Sequence, residues 1–100
     1  MAQQTAYIGL GSNLGNRKEY LDKALKMLSE ASHIELVKVS DFIDTHALGN
    51  ETQPDYLNAV AEIQTSLSPE SLHKVLIRIE NSLGRERTEK WASRTIDLDI

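Results

Sequence analysis

One hundred residues, 40% hydrophobic and 26% charged, make a single domain with one modest core. A net charge of −4 argues against broad binding to nucleic acid or to an anionic membrane. The absence of cysteine excludes a disulfide framework and a thiolate metal site. No apolar run reaches the length of a bilayer span and no signal-peptide core opens the chain, so the expectation is a soluble, cytoplasmic protein.

Thr5 to Leu10 is a short apolar run rich in strand formers. It breaks into a glycine-rich stretch, Gly9-Leu10-Gly11-Ser12-Asn13-Leu14-Gly15. The spacing is not that of a dinucleotide fingerprint, and the lysine of a phosphate-binding loop is missing. Its plainest reading is a tight strand-to-helix connection. From Arg17 to about Ala31 the period becomes helical, with Leu21, Ala24, Leu25 and Leu28 on one face. Ile34 to Phe42 alternates, with Ile34, Leu36 and Lys38 opposite Glu35, Val37 and Val39. Asp44 to Asp55 carries Gly, Asn and Pro without periodicity and reads as a long loop, a place where function often resides.

Tyr56 to Gln64 is a second strand, with Leu57, Ala59, Ala61 and Ile63 on one face and Tyr56, Asn58, Val60 and Glu62 on the other. Ser68-Pro69-Glu70 starts a helix, with Ser as N-cap, Pro in the first turn and an acid beside it. Leu72, Val75, Leu76, Ile79 and Leu83 form its stripe, and Gly84 stands where a terminating glycine belongs. A charged loop follows. The chain closes on Arg94-Thr95-Ile96-Asp97-Leu98-Asp99-Ile100, a strand with Thr95, Asp97 and Asp99 on one face and Ile96, Leu98 and Ile100 directed to the core. The order β-α-β-β-α-β predicts an α+β, ferredoxin-like fold: an antiparallel sheet with two helices on one face. The last strand is cut short, with no turn or cap after Ile100, so the expectation is a fragment of a longer protein.

Chemistry is concentrated near the end. Arg85, Arg87, Lys90 and Arg94 crowd cations beside Trp91, just ahead of Asp97 and Asp99. Carboxylates two apart on a strand lie about 7 Å from each other along it and suit a hard cation such as Mg²⁺. Arginine forks suit phosphate oxygens. Together they make the ingredients of a phosphoryl-transfer site. Tyr56 and Asn58 share a strand face and could stack on and hydrogen-bond a flat heterocycle; a half-buried tyrosine at a strand edge is the plainer alternative. His33, His46 and His73 have no metal-ligand spacing and read as surface residues.

Four ordered stretches resemble one family. They are Tyr7 to Gly15, Gln53 to Ala59, Glu80 with Leu83-Gly84-Arg85, and Lys90 to Ile100. Together they are similar to the 6-hydroxymethyl-7,8-dihydropterin pyrophosphokinases of folate biosynthesis. The resemblance implies a ferredoxin-like fold and transfer of a pyrophosphoryl group from ATP to the pterin hydroxymethyl oxygen, releasing AMP. It implies that Asp97 and Asp99 ligate two Mg²⁺ ions and that Arg85 and Arg94 engage phosphates. It places Arg87 and Trp91 on the catalytic loop that closes over both substrates, Trp91 touching both. Thr45, Leu48, Tyr56 and Asn58 fall in the pterin pocket, and Ile77 and Glu80 fall where the second helix faces ATP. Such a domain, residues 1–100, would lack its C-terminal segment, and the full-length protein is expected to be a monomer. Two local departures are Ala92-Ser93, where the family usually has Gly-Pro, and Thr45-His46-Ala47-Leu48-Gly49, which lacks the family's proline. A non-catalytic ferredoxin-like module that binds a ligand or partner is the competing reading.

Overall fold

A computed structural model describes residues 3–13, 15–45, 55–84 and 96–100. Its longest pairing joins β1 (Gln4–Ser12) to β4 (Tyr56–Thr65), antiparallel over the whole of β1. β2 (Ile34–Val39) and the three-residue β3 (Ile43–Thr45) both pair with β4 on its other side, and β5 (Asp97–Asp99) pairs with β1. All pairings are antiparallel, and the sheet runs β2-β4-β1-β5, with β3 also on β4. Two helices, α1 (Arg17–Glu30) and α2 (Pro69–Ser82), complete an α+β architecture.

The pleat sorts the residues. Ile8 and Leu10 of β1, the four apolar residues expected on β4, and Ile96 and Leu98 pack into one core with Leu21, Ala24 and Leu28 of α1 and Leu72, Leu76 and Ile79 of α2. Each large aliphatic side chain so removed from water contributes about 1.5–3 kcal/mol. Leu25, Val75 and Leu83, also expected in the stripes, pack partly buried against this core.

The helix signals act locally as read. Ser68 Oγ accepts the Ser71 N–H at 3.2 Å, and Pro69 opens α2. Gly84 follows with φ +87°. Its N–H bonds the Asn81 carbonyl, closing the last turn. In α1 the Asn16 carboxamide oxygen accepts from the Glu19 N–H at 3.1 Å. Gly15, at φ +70°, makes the turn into that helix, where the left-handed backbone favours glycine. No helix among the described residues is long and apolar enough to cross a membrane.

Four sequence expectations are corrected. β1 does not stop at Leu10; it runs through Ser12, so Gly9 and Gly11 belong to the strand, not to a turn. The segment expected as one strand from Ile34 to Phe42 ends at Val39. Its pairing shifts register between Leu36 and Lys38, which breaks simple alternation. Lys38 is therefore exposed and opposite Glu62, while Val39 is half-buried. Asp44 and Thr45, expected in the long loop, instead form β3 with Ile43, too short to show a period. Ile100 is 58% exposed and not in the core, because β5 pairs with β1 only as far as Asp99.

Candidate active site

The sheet face away from the core cluster carries the other residue of every pair. Register places Asn58, Gly11 and Asp97 in one row across three strands, and Val60, Gly9 and Asp99 in the next. β1 is the middle strand, and its two glycines have no side chain to raise. Strands lie about 4.8 Å apart, so the outer residues of each row stand roughly 10 Å from each other across a bare floor. The result is a trough of about 290 Å³, lined by Gly9, Gly11, Tyr56, Asn58, Asp97 and Asp99 among others. One wall is aromatic and amide. The other is acidic.

The floor is tightest at Gly11. A Cβ on Gly11 would come to 3.1 Å from Asn58 Oδ1, so the carboxamide would have to give way, and into ordinary contact with the Tyr56 ring at 3.5 Å. At Gly9 the nearest atom to such a Cβ is the Asp99 carbonyl oxygen, at 3.9 Å, an ordinary contact. Gly11 is thus the stricter of the two, and sequence reading missed its role by placing it in a turn. The signal was available: Gly9 and Gly11 are two apart, the spacing of one strand face.

The amide wall is braced. Asn58 Nδ2 donates to Thr45 Oγ1 at 2.6 Å, so β3 holds the carboxamide of β4 and Oδ1 lies on the Gly11 side. Thr45 and Tyr56 are register partners. Tyr56 and Asn58 are both half-buried, as a ring and an amide that meet a ligand on one side would be. On the acidic wall Asp97 is half-buried and Asp99 exposed.

Glu80 lies behind that wall. It is 2% exposed, and its Oε2 accepts the Leu98 N–H at 2.8 Å. Leu98 sits between the two aspartates, so a carboxylate on α2 grips the acidic strand from its outer edge. Ile77, one turn earlier, is half-buried. The structure brings Tyr56, Asn58, Asp97 and Asp99 together around the trough, with Thr45 bonded to Asn58 and Glu80 bonded to the backbone of β5. Leu48, Arg85, Arg87, Trp91 and Arg94, with His46, lie outside the described residues. His33 and His73 are exposed, as expected.

The donor set fits a small hard cation. Among the described residues no three His, Cys, Asp or Glu side chains gather into a closed cage. Asp97 and Asp99 offer carboxylate oxygens at an open trough instead. Mg²⁺ favours that arrangement, one or two carboxylates with water and substrate phosphates completing its shell.

An α+β sheet thus carries a glycine-floored trough between an amide wall and an acidic edge. Residues 7–100 match the 7,8-dihydro-6-hydroxymethylpterin-pyrophosphokinase family, and the chain belongs to that family. It is 53% identical over 96 residues to the 2-amino-4-hydroxy-6-hydroxymethyldihydropteridine pyrophosphokinase of Haemophilus influenzae, covering 96% of this chain and 60% of that protein. The protein of the same name in Bacillus subtilis is 45% identical over 95 residues, covering 95% of this chain and 57% of the relative. A folate synthesis bifunctional protein of Chlamydia muridarum is 44% identical over 93% of this chain, which spans 22% of that longer protein. The chain therefore spans about three-fifths of the single-function relatives.

Proposed function

We propose that the protein carrying this chain transfers a pyrophosphoryl group from ATP to the hydroxymethyl oxygen of 6-hydroxymethyl-7,8-dihydropterin, giving AMP, in folate biosynthesis. The observation that carries this reading is the convergence of Tyr56, Asn58, Asp97 and Asp99 on one trough over Gly9 and Gly11. Family membership and the names of the relatives support it. The strand order supports the finer description of the fold as ferredoxin-like, one domain over residues 1–100 with both helices on one face.

In this reading the pterin lies in the trough against Tyr56. Its ring donates to Asn58 Oδ1, which Thr45 holds in place. The backbone around Thr45 and Leu48 reads the pterin edge. Asp97 and Asp99 would hold the Mg²⁺ ions, two in number. Bound there, the ions neutralise triphosphate charge and polarise the phosphoryl oxygens. Ile77 and Glu80 belong to the ATP side through α2. Arg85 and Arg94 neutralise charge on the transferred group, and Arg87 and Trp91 cover the substrates. The hydroxymethyl oxygen bonds to the β-phosphorus as the bond from that phosphorus to the α,β-bridging oxygen breaks, and the hydroxyl proton is released. The protein forms no covalent bond; it positions and neutralises. A cytoplasmic monomer with no nucleic-acid or membrane partner fits the composition.

The test is AMP release from ATP and the pterin by the protein that carries this chain. Asp97→Asn and Asp99→Asn are each expected to lower turnover by about 10²-fold or more, the scale of losing a group that stabilises transition-state charge. Undiminished turnover in both would remove the metal assignment. No AMP from the unaltered protein, with calorimetry showing no binding of an MgATP analogue, would favour the non-catalytic module.

A further inference from the structure

Arg17 opens α1, yet its side chain leaves the helix. Nη1 donates to Asp44 Oδ1 at 2.6 Å and to the Asp55 carbonyl oxygen at 2.8 Å. One nitrogen has two hydrogens, one for each partner. Asp44 immediately precedes Thr45, and Asp55 immediately precedes Tyr56. Those two residues face each other across β3 and β4, and Thr45 in turn holds Asn58. Thr45 and Tyr56 are thus each one peptide bond from a partner of Arg17, and Asn58 is one hydrogen bond further, through Thr45.

The geometry keeps Arg17 out of the trough. Asp44 is the register partner of Leu57, a core-facing residue, so by alternation it points away from Thr45. Arg17 does not line the hollow. It acts from behind. β3 also needs such a tie. It has three exposed residues and, among the described elements, packs on β4 alone. So short an edge strand has little to hold it. A cation in the first turn of a helix opposes the helix dipole, so helix stability does not account for an arginine there.

We propose that Arg17 is a positioning residue: it staples β3 to the start of β4 and so sets the Thr45–Asn58 bond and the Tyr56 ring that meet the pterin. Its consequence for ligand affinity rests on the pterin reading above; its effect on the strands does not.

The experiment uses the protein that carries this chain, with Arg17→Ala, Arg17→Lys, Asp44→Asn and Asp44→Ala. Without ligand, Arg17→Ala is expected to speed amide exchange of residues 43–45 and 56–58 by about tenfold, leaving Ile8 and Ala61 near the unaltered rate, as for a local opening. With 6-hydroxymethyl-7,8-dihydropterin, its Kd is expected to rise by about tenfold while that of an MgATP analogue changes less than about twofold. Asp44→Asn keeps the accepting oxygen and should stay near the unaltered protein. Asp44→Ala should follow Arg17→Ala, and Arg17→Lys should fall between. Unchanged exchange at 43–45 and 56–58, or acceleration spread evenly to Ile8 and Ala61, would overturn the proposal. If the unaltered protein binds no pterin, the substrate reading fails and the ligand-free exchange comparison still decides the role of Arg17.

Discussion

Replacing Glu80 with alanine removes the acceptor of the Leu98 N–H and leaves that donor inside the protein. Leu98 is 4% exposed and Glu80 2%, so little water reaches the vacated place. An unsatisfied buried donor costs about 1–3 kcal/mol, and a hydrogen bond to a charged acceptor is worth about 1.5–3 kcal/mol. These are two descriptions of one loss, so the expected cost is about 2–3 kcal/mol. In a domain of this size each kcal/mol moves the melting temperature by roughly 4–8 °C, which puts the shift at roughly 8–24 °C. Glu80→Gln keeps an oxygen for the Leu98 N–H, so it should cost less than the alanine change. Thermal and urea unfolding of the three proteins, followed by circular dichroism, measures both. An alanine variant melting within about 2 °C of the unaltered protein would refute the reasoning. So would a glutamine variant as damaged as the alanine one, since charge and not the bond to Leu98 would then be what matters. Contact of Glu80 with ATP would show separately, as a raised KM for MgATP in Glu80→Gln at an unchanged melting temperature.

Three further substitutions test other parts of the structure. Gly11→Ala drives a Cβ to 3.1 Å from Asn58 Oδ1 and should weaken pterin binding by about tenfold or more with a small change in melting temperature, read by titration and a thermal scan. His33 has φ 66°, a backbone that costs a side-chain-bearing residue about 1–2 kcal/mol. His33→Gly recovers part of that against its own entropic cost and should stabilise by about 0.5–1 kcal/mol in urea unfolding. Ser68→Ala deletes the cap on the Ser71 N–H and should destabilise by about 1 kcal/mol in the same assay, with Ser68→Asp restoring most of it.

Some of this molecule can be read residue by residue. α2 carries its start, its stripe and its stop in consecutive letters, because capping and amphipathic packing are local. The alternation of Tyr56 to Gln64 and of Ile96 to Asp99 likewise separates core from open face, and with them the residues of both trough walls. What could not be read depends on partners distant in sequence. Alternation along Ile34–Val39 is broken by a register shift that only the pairing with β4 reveals. β3 is a strand because β4, Asn58 and Arg17 hold it, not because Ile43-Asp44-Thr45 prefers to be one. Gly11 reads as part of a turn, since glycine usually marks one; here it is strand floor, and a Cβ there would crowd Asn58 of the neighbouring strand. Arg17 shows nothing in sequence beyond opening a helix, because neither Asp44 nor Asp55 is near it along the chain.

β4 carries two independent texts, interleaved letter by letter. Leu57, Ala59, Ala61 and Ile63 answer to the core, while Tyr56, Asn58 and Val60 answer to the trough. Exchanges at the second set leave the hydrophobic interior untouched, so affinity can be varied along this strand at less cost to stability than exchanges at the first. A combinatorial library restricted to positions 56, 58 and 60 should therefore yield mostly folded proteins with widely differing ligand preferences. A library of equal size at 57, 59 and 61 should yield mostly unfolded ones.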